Sequence, residues 1–522
     1  MTESTVAIVG SGIAASTVAW LLTQRGVDVQ IFEKGPAYPY PYRAQFEERV
    51  LYRYENPAYR LPADLQGLTQ SGTYAYPLND ERRMVTGGAA TAWAAITLRM
   101  LPRDFRTRTL YGFGADWPIA YDDVEPYYCD AETLLGVSGT DADNPFAPRR
   151  SRPYPLAPFP LSYDDQVLGA RLRRAGLVLH TTPQARTRAP FGGRPGCMNI
   201  GSCEVCPIGA RYSPAVHLAE AVRTGRCRVT PLTSVRRIVL DRSGRAAALL
   251  YQPNDGASPE EHRAKVIVVA AGAIESARLL LLSARDGRAA EWGAAEHAGR
   301  HLMFHHLWWG RLRYGDPLFP GRIGPLTGQS HQFLDPPGRG RHGAIKVEFS
   351  SNVTASAPVA WDGVRSGAEI LDAQRAVPRE RILYLHAESE PSAGKRVTLS
   401  DTRDRFGDPY AHVHYEWTPF DHDTYAFGRT LFARFAAATQ AEDAALEPPG
   451  SYFSGNHHMG TCGMGTSVRD SVVNGMGVVH GVPNLFVVGS STFAGTAAVN
   501  PTLTIVALAV RTARYLLEEA LR

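Results

Sequence analysis

Lysine is almost absent from this chain, occurring only at positions 34, 265, 346 and 395 among 55 basic residues. Arginine supplies the rest, a bias that reads as compositional and assigns no binding role. Basic and acidic residues nearly balance, 55 against 51, with a formal charge of +4 and no long run of either sign. That excludes a basic tail or stripe for nucleic acid. Cysteine is scarce too: six in 522 residues, three of them crowded into CMNIGSCEVC at 197–206. Such sparse, uneven spacing does not suit a disulfide-stapled secreted domain. No stretch approaches the roughly 20 apolar residues of a membrane span. The first apolar run, VAIVGSGIAASTVAWLL, has glycines where the core of a signal peptide would be. A soluble, cytoplasmic protein is expected. What is plentiful is apolar material: 44% of the 57.0 kDa chain is hydrophobic, enough for two or more domains, or one with large insertions.

The N-terminus supplies the first chemical signal, TVAIVGSGIAASTVAWLLTQRGVDVQIFEKG. Thr5 to Val9 reads as a β-branched strand, Gly10 and Gly12 as a turn, Ala15 to Leu22 as a helix, and Val27 to Phe32 as a second strand ending at Glu33. Glycine lets the backbone approach a pyrophosphate, the helix N-terminus offers free N–H groups, and Glu33 can accept hydrogen bonds from a ribose. Ala15 takes the place of the third glycine. The motif predicts a bound dinucleotide without saying which.

Further along, residues 38–80 are rich in Pro, Tyr and Arg and read as a long excursion. Helices are expected over 121–135 and 165–175. Strand-rich segments follow the cysteines, AKVIVVAAGAIESARLLLLS reads as strand, turn and helix, and the C-terminus repeats that order. The dinucleotide-binding part is therefore expected to be discontinuous, assembled from both ends and the middle of the chain.

Taken in order, VGSGIAAS with Glu33, GGAATAW, DWPIAYDDVEPYY, CPIGARYS, VVAAGAIESARLLL, ESEPSAGKRVTLSD, HHMGTCGMG and NLFVVGSSTFAGTAAVNPTLTIVALAVRTA resemble the glucose-methanol-choline (GMC) family of FAD oxidoreductases over nearly the whole length. The terminal NPTLTI and the GG followed by Trp93 resemble the bacterial sugar and polyol dehydrogenases and the pyranose-oxidase-like members most. The resemblance implies an α/β fold. A Rossmann-like FAD-binding domain would comprise 1–115, 190–300 and 452–522, and an α+β substrate domain on an antiparallel sheet would comprise 116–189 and 301–451. It places Gly10, Gly12, Ala15 and Glu33 at the FAD pyrophosphate and ribose, Gly87 and Gly88 beside the flavin, Val235 at the adenine, and Gly489 in the last strand–helix turn. Pyranose oxidase holds its flavin covalently through a histidine where this chain has Ala92, so the FAD is expected to be non-covalent.

Alcohol oxidation needs a base for the hydroxyl proton, and histidine, with an unperturbed pKa of about 6.5, supplies one near neutrality. The family spacing H-x-x-G selects His457, followed by Gly460. His458, its neighbour, should point to the opposite face and be structural. Asn500, just before the last helix, matches the family's second catalytic position. It could also cap that helix, with Pro501 as its first residue. His301, His305 and His306 show no ligand spacing and read as structural. Trp308, Trp309, Phe333, Tyr384, Tyr415 and Trp417 read as core more readily than as a sugar-stacking surface.

Cys197, Cys203 and Cys206 follow C-x5-C-x2-C-P. Three thiolates match the ligand count of a [3Fe-4S] cluster, which some similar dehydrogenases carry in this segment. Buried structural thiols are the alternative. The expected function is oxidation of a hydroxyl of a sugar, polyol or glycoside, with oxygen or an external acceptor reoxidising the flavin. An antibiotic aminosugar is included if Glu348, Glu388, Glu390, Asp421 and Asp423 meet a cation. The alternatives are a cyanohydrin-type lyase and a non-catalytic flavin-binding subunit.

Overall fold

The computed structural model describes residues 3–42, 61–74, 76–199, 205–285, 293–321, 323–324, 326–350, 366–449 and 456–521. The N-terminal pattern folds as strand Glu3–Val9, helix Ile13–Thr23 and strand Val29–Phe32. Val6 to Val9 and all of Val29–Phe32 are buried, because a parallel sheet is covered on both faces. Glu3–Val9 runs parallel to Val29–Phe32 on one side and to Glu260–Val269 on the other. Cys227–Thr230 and Leu485–Val487 add further parallel strands. The antiparallel strands Ala246–Pro253 and Thr233–Leu240 complete a seven-stranded mixed sheet. Both ends and the middle of the chain thus build one Rossmann-like layer. The C-terminal helix Thr502–Tyr515 packs beside Ile13–Thr23 and Tyr121–Leu135.

A second sheet is antiparallel throughout. Its six strands lie in the order Asp443–Leu446, His306–Arg313, Glu380–Ala387, Ile345–Ser350, Gly328–Ser330 and His180–Thr181. The helix Pro419–Ala438 packs against it. That helix is started by a capping box, in which Asp421 Oδ2 accepts the Thr418 N–H at 2.8 Å while Thr418 Oγ1 accepts the Asp421 N–H, with Pro419 in the first helical position. Trp308, Phe333, Tyr415 and Trp417 are buried core residues. Trp309 and Tyr384 form a partly exposed cross-strand pair.

Three of the acids considered as anchors for a cationic sugar are already neutralised inside the protein. Glu348 is paired with Lys346 and His386, Asp421 with Lys395 and His306, and Glu388 with Arg339. Only partners buried beside them make such carboxylates tolerable. Arg339 also serves Asp104, with 2.7 Å bonds to each carboxylate. Burial pushes Asp104 up to about 6 in spite of the guanidinium. Replacing Arg339 with methionine would leave two buried acids facing each other. The expected loss is about 3–5 kcal/mol of stability, read as a lower denaturant midpoint of the FAD-loaded protein.

Candidate active site

The turn after the first strand is shaped by contacts that only glycine permits. Gly10 has φ +91°, and a Cβ there would lie 2.7 Å from the Ala270 carbonyl oxygen. A Cβ on Gly88, at φ +61°, would lie 3.1 Å from the Gly12 Cα. The two glycine turns therefore meet backbone to backbone. Ser11, which the motif alone does not single out, ties them together. Its N–H and hydroxyl donate to Glu33 Oε2 at 3.0 and 2.6 Å, and its hydroxyl oxygen accepts the Gly87 N–H at 3.0 Å. Burial raises the Glu33 pKa, while the bonds from Ser11 and Gly35 pull it back.

One cleft is lined by Gly10, Gly12, Glu33, Gly88, Val235 and Gly489. Six of the expected cofactor residues therefore share a wall. Ala15 is buried within its helix, where a small side chain serves packing, and Gly87 stands behind Ser11. A side chain at Gly12 would project into open space in the cleft, where a pyrophosphate needs close access to the helix N-terminus. Changing Gly10 to alanine combines a left-handed backbone, costing about 1–2 kcal/mol, with the clash at Ala270. The expected outcome is loss of most bound flavin, measured as the flavin-to-protein absorbance ratio after purification.

His457 and His458 point apart, as extended backbone requires. His458 lines the cleft, with Nε2 3.2 Å from Glu81 Oε2. His457 faces the second sheet. Met303 and Met459 exchange two backbone hydrogen bonds of 2.9 Å as an antiparallel pair. Two residues further along, His305 is consequently opposite His457, and their Nδ1 atoms are 2.9 Å apart. His305, read from the sequence as structural, is thus the hydrogen-bond partner of His457.

The tautomers follow from the partners. His305 Nε2 faces the Ala497 carbonyl, which only accepts, so Nε2 carries the proton. Burial depresses His305 to about 3 and holds His457 far below the usual imidazole value, with His305, His386, Lys346 and His458 adding to the effect. Both rings are neutral at pH 7. His305 Nδ1 is then bare, His457 Nδ1–H donates to it, and His457 Nε2 is left with its lone pair.

The second sheet brings the remaining groups to the same place. Lys346 pairs with His386 across two strands, and His386 pairs with Leu307 across the next, so these side chains share one face with Glu348. Glu348 bridges His386 Nε2, at 2.8 Å, and the Lys346 ammonium. Burial raises the Glu348 pKa, but His386 and Lys346 outweigh it and keep the group ionised. Lys346 also donates to Asn500 Oδ1. Asn500 does not cap the last helix: Pro501 occupies the cap position of Thr502–Tyr515, and no side chain caps it. The buried ammonium claims the amide oxygen, which leaves the NH2 end as the donor.

Cys203 lies outside the described residues. Cys206 is buried, and the partly exposed Cys197 accepts the Asn199 N–H at 3.4 Å. The described cysteines form no disulfide. Iron and acid-labile sulfide assays on anaerobically purified protein decide the segment's role. About three irons per chain would identify a cluster, and flavin alone would identify a structural loop.

Comparison with known proteins agrees with this architecture. Residues 169–307 and 391–509 match the GMC oxidoreductase family, and residues 8–39 match an NAD(P)-binding Rossmann-like domain. The chain is 30% identical to the 2-methyl-1,2-propanediol dehydrogenase of Mycolicibacterium austroafricanum, covering 98% of this chain and 95% of that one. It is 29% identical to the fructose dehydrogenase large subunit of Gluconobacter japonicus, covering 98% of each. The fold superposes on a formate oxidase of Aspergillus oryzae with a TM-score of 0.66 at 15% identity, over 100% of this chain and 99% of that one. The glycine turns, Glu33 and the open space above Gly12 fit FAD. The chain belongs to the GMC oxidoreductase family and is an FAD-dependent oxidoreductase acting on CH–OH groups.

Proposed function

We propose that this enzyme oxidises one hydroxyl of a small polyhydroxylated molecule, a sugar, polyol or glycoside, to a carbonyl. The bound FAD supplies the hydride acceptor. His457 Nε2 takes the hydroxyl proton, and the NH2 of Asn500 holds the substrate oxygen, which fixes the carbinol's orientation. One observation carries the reading: the Ala497–His305–His457 chain fixes the tautomer that leaves His457 Nε2 unprotonated, with its lone pair free. Two relatives named for a sugar and a diol support the substrate class. Non-covalent attachment of FAD fits Ala92, and release of the flavin on acid denaturation checks it.

The test is anaerobic mixing of the FAD-loaded enzyme with a panel of sugars, polyols and glycosides. Bleaching of the flavin with formation of a carbonyl product is expected. A substrate cleaved without bleaching would favour a lyase. Failure of every alcohol, together with a tightly co-purifying protein, would favour a non-catalytic subunit.

A further inference from the structure

The proposed reaction uses one bare imidazole nitrogen and leaves another unexplained. His386 donates through Nε2 to Glu348, and its Nδ1 is buried with no hydrogen-bond partner among the described residues. An imidazole lone pair shut away from water is costly unless something fills it. One ring nitrogen from each of His305, His386 and His457 lies within 4.8 Å of the other two. We propose that these three histidines form an inhibitory site for a divalent transition-metal ion of the zinc and cobalt class.

The surroundings are those of a ligand set. A metal-binding histidine characteristically donates its far N–H to a carboxylate or a backbone carbonyl, which fixes the ring and raises its basicity. His386 has Glu348 in that role and His305 has the Ala497 carbonyl. In both rings this leaves Nδ1 as the donor atom, and His457 already holds its own Nδ1 beside that of His305. All-imidazole coordination selects zinc, cobalt, nickel or copper over magnesium and calcium, which prefer oxygen. Three protein ligands leave a fourth position for water.

Inhibition follows from proton accounting. A neutral imidazole has a single bare nitrogen. When His457 ligates through Nδ1, its proton moves to Nε2 and no proton leaves the ring. Nε2 is then a donor and cannot take the substrate's hydroxyl proton. The metal and the alcohol compete for one lone-pair assignment even where they do not overlap in space. This consequence rests on the proposed function, whereas the binding itself does not.

The test uses FAD-loaded enzyme freed of metal with EDTA and titrated with Co2+, followed by its visible d–d bands beyond the flavin absorption and by calorimetry. A single ion per chain is expected. Flavin reduction by an alcohol should fall in step with occupancy by Zn2+ or Co2+, recover on adding EDTA, and ignore Mg2+. His386→Leu should abolish the cobalt bands. Glu348→Gln, a gentler change, should weaken binding by about 10–100-fold. Absence of the bands, or metal inhibition unaltered in both variants, overturns the site. If no alcohol reduces the flavin, the proposed function fails, and the cobalt titration still reads the site.

Discussion

Replacing His457 with alanine is expected to slow flavin reduction by an alcohol by about 10²–10⁴-fold while FAD stays bound. The two parts of the expectation come from different walls of the site. His457 does not contribute to the cleft lined by the glycine turns and Glu33, so truncating it leaves cofactor retention alone. What it removes is an imidazole whose tautomer is fixed with Nε2 unprotonated by a chain of hydrogen bonds through His305 to the Ala497 carbonyl. Burial keeps that ring neutral, so its Nε2 lone pair is free at pH 7. His458→Ala is the matched control. His458 borders the cofactor cleft and contacts Glu81, so its loss should alter flavin retention more than the chemical step. Stopped-flow reduction and flavin content on both variants separate the roles. Near-normal reduction by His457→Ala would remove it as the base.

The strand–turn–helix–strand around Gly10 and the helix Tyr121–Leu135 were legible in the sequence because each is written in a local period with its own punctuation. His457 was legible through its spacing to Gly460. Its partner was not: His305 lies 152 residues away, and what joins them is the antiparallel register set by Met303 and Met459, which no local pattern encodes. Asn500 was visible as the match to the family's second catalytic position, and its place before Pro501 also offered a cap. The cap is set aside, because Pro501 occupies the cap position and the buried Lys346 donates to the Asn500 oxygen. A signal for this network did exist. In IKVEFS the charged Lys346 and Glu348 alternate with Ile345, Val347 and Phe349, the period of a strand that puts both charges on one face, and the structure buries all of it. In a chain with four lysines, Lys346 and Lys395 are wholly buried against carboxylates and Lys34 lines the cofactor cleft. The scarcity of lysine, read as composition, coincides with its use as a compact buried point charge.

Lys346→Met tests whether that ammonium is structural, positional or both, and the expected result is both. The side chain is fully buried, between Glu348 and Asn500. Methionine keeps most of its unbranched apolar length, one atom short, but leaves Glu348 with His386 as its remaining partner, an imbalance expected to cost about 3–5 kcal/mol. The same change releases the Asn500 amide, whose oxygen then has no cation to hold it. Its NH2 no longer faces the substrate oxygen in a fixed direction, and misplacement on this scale costs on the order of 10²-fold in rate. The two effects separate in the double variant Lys346→Met with Glu348→Met. Replacing a whole buried ion pair with apolar side chains is near neutral for stability, so the denaturation midpoint should return towards that of the parent. Flavin reduction should stay slow, because Asn500 remains unanchored in either background. Recovery of both stability and rate in the double variant would mean that Lys346 serves only to neutralise Glu348, and that the orientation of Asn500 is set by its place before the last helix.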